Sequence, residues 1–122
     1  MSEHDEQVAL FQWAKLNEGR YPELALLYAN PLGGKRPRRT AARMKAEGAK
    51  AGVPDITLPV ARCGFHGMYI EMKFGSGRLT PTQDWWLDQL IEQDYNCVVC
   101  YSFEDARQQI VHYLECGKEA QP

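Results

Sequence analysis

The sequence predicts an α/β fold in which a mixed central β-sheet is flanked by helices. Two apolar runs, at 52–60 and 68–73, are separated by a glycine-containing break, which is typical of a β-hairpin. Helical apolar patterns with capping residues stand on both sides of this hairpin. From Glu71 to Asn96 the order is strand, helix, strand, which predicts a right-handed crossover between parallel strands.

The first half of the chain is predicted to hold two helices and one strand. Ser2 can cap a first helix whose opening turn is acidic and whose apolar pattern runs to about Leu16. The apolar run 24–29 predicts a strand, which the glycine-containing segment after it ends. Residues 40–47 then predict a second helix, ended by Gly48.

The second half predicts a helix, a strand and a final helix. Thr80 is a predicted N-cap with Pro81 in the first helical position, and Gln83 completes a capping box. A strand over 96–101 follows, and Ser102 caps the last helix. The residues expected to face inward from this helix are Ala106, Ile110, Tyr113 and Leu114. We expect one domain over residues 1–116 and a polar tail over 117–122.

Length and composition also limit the class of protein. The chain has 122 residues, 44 % of them hydrophobic, which is enough for one compact domain with its own core. No apolar run approaches the ~20 residues that span a membrane. The acidic N-terminus is unlike a signal peptide, so the cytoplasm of a bacterial or phage-infected host cell is expected. Cys97 and Cys100 have metal-site spacing, but their apolar neighbours favour core thiols on opposite faces of a strand.

Three charged residues interrupt the apolar hairpin. Asp55 opens its first strand, whereas Glu71 and Lys73 lie near the end of its second. Because strand side chains alternate, Glu71 and Lys73 share one side. Charges in such strands are costly unless they are paired or bound to a metal, although a solvated surface hairpin is the alternative. Two converging carboxylates and a lysine can hold a hard divalent cation and stabilise an oxyanion.

These residues resemble the PD-(D/E)xK nuclease superfamily. The pair 54–55 matches the first half of its motif, Pro-Asp, and 71–73 matches the second half, Glu-x-Lys. The Gly-Val-Pro-Asp start at 52–55 and the later Gln83 are similar to the VRR-NUC branch, whose members occur in phages and among structure-specific DNA repair nucleases. The similarity extends from Glu3 to Leu114.

The resemblance implies a restriction-endonuclease-like core and metal-dependent hydrolysis of DNA. Asp55 and Glu71 would hold Mg²⁺ or Mn²⁺, together with the backbone carbonyl of Met72. Lys73 would orient or help to deprotonate the attacking water. Gln83 would be an active-site residue, which is compatible with its role as a cap.

A glutamate of the first helix often adds to the metal site in this superfamily. Glu6 is the first choice and Glu3 is the alternative. Acidic residues are also ordinary in the first turn of a helix, so capping explains either residue equally well.

Positive charge is concentrated in one segment. The net charge is −2, yet residues 35–50 carry +6 and the remainder therefore −8. Beside a nuclease motif this segment is expected to contact DNA phosphates, although a solvated basic helix is the plainer interpretation. The expected contact residues are Lys35, Arg36, Arg38, Arg39, Arg43 and Lys45.

Substrate and assembly are expected only by resemblance. Stand-alone phage VRR-NUC proteins are similar in size, form homodimers and cut branched DNA in the manner of Holliday-junction resolvases. The alternatives are a non-specific, end-processing or restriction-type nuclease, and a catalytically inactive subunit that binds DNA through the same fold.

Overall fold

The computed structural model describes residues 2–31 and 38–118, with only the backbone of residue 38. In these residues a mixed four-stranded sheet is flanked by four α-helices, as the sequence predicts. The helices are α1 (Glu3–Leu16), α2 (Arg38–Ala46), α3 (Pro81–Glu92) and α4 (Phe103–Glu115). The strands are β1 (Tyr28–Ala29), β2 (Ile56–Leu58), β3 (Met68–Met72) and β4 (Asn96–Cys100).

The sheet has the strand order β1-β2-β3-β4. Strand β2 is antiparallel to both of its neighbours, β1 and β3, and its pairing with β3 confirms the predicted hairpin. Strands β3 and β4 are parallel and are joined through α3, which confirms the predicted order of strand, helix and parallel strand. The register pairs Ile56 with Ile70 and Met72 with Cys100.

The alternation of side chains divides the sheet into an apolar face and a face that carries polar groups. Ile56, Leu58, Met68 and Ile70 are fully buried and form one core with α1 and α4. Neighbouring positions such as Glu71 point to the opposite face. The predicted inward residues of α4 are buried, which confirms its amphipathic pattern.

The prediction of a strand over 24–29 is wrong for most of its length. Pro22–Leu26 is a 3₁₀ helix, and β1 contains only Tyr28 and Ala29. Pro22 favours the helical turn because its fixed φ suits the first helical position. Leu24 and Leu27 are buried, and their spacing of three matches one 3₁₀ turn rather than the alternation of a strand.

The structure also contains a disulfide that no spacing pattern in the sequence indicates. Cys63, in the loop between β2 and β3, is bonded to Cys116, directly after α4. Cys97 and Cys100 are free, and Cys100 is fully buried. Burial raises the pKa of Cys97 to about 11 and that of Cys100 to about 12, so both remain protonated thiols at neutral pH.

No helix within 2–31 and 38–118 is long and apolar enough to cross a membrane. The predicted polar tail is described only as far as Lys118, whose amide donates to the carbonyl of Glu115. Residues 119–122 lie outside the described part of the chain.

The backbone that leads into Asp55 lies directly against the start of α3. Gly52 has a φ of +89°, which side chains rarely adopt. A Cβ atom at this position would lie 2.5 Å from Cγ2 of Thr82 and 3.0 Å from Cδ1 of Trp86. The glycine therefore permits both the turn and the close approach that sets Asp55 beside α3.

We predict that Gly52→Ala destabilises the protein more than Gly48→Ala does. Both glycines have a left-handed φ, but a Cβ at Gly48 would meet nothing within 4 Å. The strain of a positive φ is common to the two variants, whereas steric overlap should cost Gly52→Ala a further ~1–3 kcal/mol. Urea unfolding followed by circular dichroism measures the difference, and equal decreases in stability would contradict the packing described for Gly52.

Candidate active site

Two buried carboxylates meet where β2 begins and β3 ends. Asp55 directly precedes β2 and is 9 % exposed, and Glu71 in β3 is 3 % exposed. Ile56 pairs with Ile70, and extending this antiparallel register by one residue places Asp55 opposite Glu71. Oδ2 of Asp55 accepts a hydrogen bond of 2.8 Å from the backbone N–H of Met72. The antiparallel register thus brings together two residues that lie 16 positions apart.

One amide side chain links the carboxylates to α3. Oε1 of Gln83 accepts the N–H of Thr80 at 2.9 Å, and Oγ1 of Thr80 accepts the N–H of Gln83 at 3.1 Å. Nε2 of Gln83 donates to Oε2 of Glu71 at 3.2 Å. The sequence suggested two roles for Gln83, helix cap and site residue. The carbonyl oxygen of its amide contacts the cap, and the amide nitrogen contacts Glu71.

The environment strongly favours the protonated form of Glu71. Burial is the main cause, followed by the negative charge of Asp55 and a hydrogen bond with it, and together they raise the pKa of Glu71 to about 8. The charge of Lys73 acts in the opposite direction, whereas that of Glu3 adds to the rise. Without a cation, a proton is thus what keeps the two carboxyl groups together.

The donor set of this pair suits a hard divalent cation. Carboxylate oxygens are the ligands that Mg²⁺ and Mn²⁺ prefer, and a cation can replace the proton that two adjacent carboxyl groups otherwise need. In the described part of the chain, no group of three or more His, Cys, Asp or Glu side chains is placed to hold a metal. A cation at Asp55 and Glu71 would therefore also need the carbonyl of Met72 or water.

Lys73 extends the parallel pairing by one residue beyond β3. Its backbone N–H donates to the carbonyl of Cys100 at 2.8 Å, so its position depends on β4 as well as on the hairpin. Its positive charge lowers the pKa of Glu71, against the larger effects of burial and of Asp55. The Glu-x-Lys sequence thus supplies a buried acid and a partly exposed base at one end of the sheet.

The two glutamates considered from the first helix have different surroundings. Oε2 of Glu6 accepts the backbone N–H of Phe103 at 2.6 Å, and Glu6 thereby caps the start of α4. Glu3 lines a cleft together with Asp55, and its charge raises the pKa of Glu71. The geometry therefore brings Glu3, the alternative choice, toward the carboxylate pair and engages Glu6 elsewhere.

The basic segment is described only in part. Lys35 and Arg36 lie outside the described residues, and Arg38 is described in its backbone alone, at the start of α2. Arg39, Arg43 and Lys45 are exposed on α2. Arg43 is paired with Glu47 at 3.5 Å, which leaves the helix with a surplus of positive charge at its surface.

The fold and the site define a class of protein. A helix-flanked mixed sheet that carries a buried Asp–Glu pair and a following lysine has the arrangement of a PD-(D/E)xK nuclease. The family model of the VRR-NUC domain matches residues 1–104, and the chain belongs to this family. The domain is accordingly a nuclease domain, and DNA is the substrate that such a domain implies.

A solved structure supports the same assignment. A protein described as "VRR_NUC domain protein" is similar with a TM-score of 0.80 and 29 % identity, covering 96 % of this chain and 91 % of that one. No curated protein matches the sequence. The predictions of family and of fold are confirmed.

We predict that the metal-free protein loses stability as the pH rises from about 5 to 8. The folded-state pKa of Glu71, about 8, lies above its ordinary value of 4.5, so the protonated carboxyl stabilises the native state. This contribution is complete below pH 4.5, declines between the two values and is absent above pH 8.

Urea unfolding in EDTA at a series of pH values measures this decline. Glu71→Gln, which cannot ionise, should flatten the dependence over this range, whereas Glu92→Gln on the exposed face of α3 should retain it. Parallel profiles for the wild type and Glu71→Gln would show that Glu71 is not the group responsible.

Proposed function

We propose that this protein is a divalent-metal-dependent endonuclease that hydrolyses phosphodiester bonds in DNA, prefers branched DNA and acts as a homodimer. The observation that carries the proposal is the convergence of Asp55 and Glu71, each fixed by a further hydrogen bond, beside Lys73. Two buried carboxyl groups side by side destabilise a folded protein unless a bound ligand compensates their charge. Such a pair is therefore more typical of a functional site than of a purely structural one.

Asp55 and Glu71 would hold Mg²⁺ or Mn²⁺, with the backbone carbonyl of Met72 as a further ligand. When bound, such an ion lowers the pKa of coordinated water and polarises a phosphate oxygen. Nε2 of Gln83 donates to the Glu71 carboxylate, so Gln83 would orient this metal ligand rather than bind the ion itself. The hydrogen bond from Met72 gives Asp55 the same kind of support.

Lys73 has two proposed roles in the reaction. Its amino group would orient the attacking water and, in its neutral form, accept a proton from it. The ammonium group that this forms would offset the negative charge that develops on the phosphate oxygens. Both roles require the amine close to the carboxylates but accessible to substrate. The partial exposure of Lys73 at the end of the buried strand is consistent with both.

The first test is DNA cleavage by the wild type with Mg²⁺, Mn²⁺, Ca²⁺ or EDTA. We expect cutting with Mg²⁺ and Mn²⁺, binding with little cutting in Ca²⁺, and no cutting in EDTA.

Turnover should fall at least ~100-fold in each of three variants, Asp55→Ala, Glu71→Ala and Lys73→Ala. Asp88→Ala, an exposed carboxylate on α3, is the matched control and should cut normally. Cleavage that persists in EDTA would contradict the mechanism, and binding without cutting in every metal would favour an inactive DNA-binding subunit.

We propose that Glu3, rather than Glu6, supports the metal site through a water molecule bound to the ion. Glu3→Gln should weaken Mn²⁺ binding about tenfold, the low end for removal of a supporting group at a metal site. Glu6→Gln should retain the affinity for Mn²⁺ but lower the free energy of unfolding by ~0.5–2 kcal/mol, because the N-terminus of α4 loses a charged cap. Titration by electron paramagnetic resonance and urea unfolding separate the two effects, and the opposite pattern would assign the role to Glu6.

The basic residues Lys35, Arg36, Arg38, Arg39, Arg43 and Lys45 are proposed to contact DNA phosphates. Support comes from the charge asymmetry of the sequence and from the exposure of the described members on α2. Such contacts position the nucleic acid and do not perform chemistry.

A double variant, Arg38→Ala with Arg39→Ala, should lower the slope of log affinity against log salt by about 1.8, or about 0.9 for each phosphate that an arginine no longer neutralises. Arg20→Ala with Arg107→Ala removes the same charge outside this segment and should leave the slope unchanged. Equal slopes in both double variants would mean that the basic segment does not bind DNA.

The proposal also includes a preference for branched DNA and assembly as a homodimer. Symmetric cutting of a four-way junction needs two active sites, and a homodimer would supply two copies of the Asp55–Glu71 pair. Comparison of four-way junction, flap, nicked and linear duplex DNA tests the preference, and light scattering tests the dimer. Equal cutting of all four would favour the non-specific or end-processing alternative.

The cytoplasm of a bacterial or phage-infected cell is the proposed place of action, since DNA is found there. The Cys63–Cys116 disulfide argues in the other direction, because such bonds persist mainly in oxidising compartments.

A further inference from the structure

A cleft beside the carboxylate pair has no role in the chemistry described above. It has a volume of about 630 Å³ and lies between α1 and the sheet, with Ala29 of β1 and Asp55 in its wall. Glu3 and Lys15, both on α1, also line it. They are 12 residues apart, which corresponds to ~18 Å along a helix. The cleft thus leads away from the site along almost the whole of α1.

The lining of the cleft combines apolar surface with amide groups. Val8 and Phe11 contribute apolar surface, and Val8 is 41 % exposed although it lies in the middle of a helix. Gln7 and Gln12 add side chains that can both donate and accept hydrogen bonds. A nucleobase has matching chemistry, because it presents an apolar face and an edge of donors and acceptors.

The charge of the cleft argues against the phosphate backbone of a DNA duplex as its occupant. A duplex presents phosphates to a protein surface, and phosphates require cations. Here Glu3 and Asp55 make the end nearest the site acidic, and Lys15 lies at the far end. A base that leaves the stack can enter such a recess while the phosphate beside it remains at the carboxylate pair.

We infer that this cleft binds an unpaired nucleobase of the strand being cut, next to the scissile phosphate. The inference rests on the proposed function, because it assumes that Asp55 belongs to a nuclease site. Extraction of a base from a duplex requires unstacking and unpairing, a cost that is smallest for a nucleotide that is already unpaired. The cleft therefore selects DNA with unpaired nucleotides at a branch or flap over continuous duplex.

The test compares the cutting of two DNA molecules that differ only in a short unpaired flap. Single-turnover rates in Mg²⁺ are measured for the wild type and for two variants. Val8→Phe narrows the cleft, whereas Leu16→Phe adds an aromatic ring on α1 at a residue that is 84 % exposed and outside the cleft. The wild type should favour the flap DNA. Val8→Phe should lower the ratio of flap to duplex cutting at least about tenfold, because its larger side chain takes space that the base needs. Leu16→Phe should leave the ratio unchanged.

Equal ratios for the two variants, or a wild type without preference, would overturn the inference while leaving an active nuclease. No cutting of either DNA by the wild type in any metal would instead overturn the proposed function. In that case, the inference is tested by binding. A flap base is replaced by the fluorescent base 2-aminopurine, and its fluorescence is measured with protein and Ca²⁺ present. A change in fluorescence with the wild type and Leu16→Phe but not with Val8→Phe supports a base in the cleft, and no change with the wild type contradicts it.

Discussion

The contact between Asp55 and Glu71 is the constraint on which the rest of the structure depends. Two carboxyl groups that are nearly excluded from water cannot both carry charge unless something compensates them, and the raised pKa of Glu71 measures this conflict. Three neighbouring groups act on the pair: the backbone N–H of Met72 donates to Asp55, Gln83 donates to Glu71, and the charge of Lys73 opposes the rise in pKa. A cation bound between the two carboxyl groups would relieve this conflict, which is the physical basis of the proposed metal site.

The fold supplies this contact through elements far apart in sequence. The antiparallel register of β2 and β3 sets the carboxylates opposite each other, and the parallel pairing with β4 fixes the end of β3 and hence Lys73. Helix α3 reaches the site because Gly52 lets its first turn approach closely. Glu6 joins α1 to the start of α4, so even an acidic residue outside the pair contributes to the frame around it.

The sequence predicts those parts of the site that depend on residues close together in the chain. The capping box at Thr80 and Gln83 was readable because both partners lie within one turn, and the hairpin was readable from two apolar runs and a turn. The choice between Glu3 and Glu6 was not readable, since both lie in one turn and only the packing of α1 on α4 separates them. The disulfide joins residues 53 positions apart, which no spacing rule relates. An apolar run of six residues fits both a strand and a short 3₁₀ helix, so it does not distinguish them. Pro22 at the start of the turn is the local feature that favours the helix.

The central claim is that Asp55 and Glu71 form one cation site. A crystal soaked in Mn²⁺ tests it directly through the anomalous scattering of the metal. The account predicts a peak between the two carboxylates, within coordination distance of an oxygen from each, and no such peak in Glu71→Gln. A wild-type crystal with no peak at this position, or with Mn²⁺ bound only elsewhere on the protein, would contradict it.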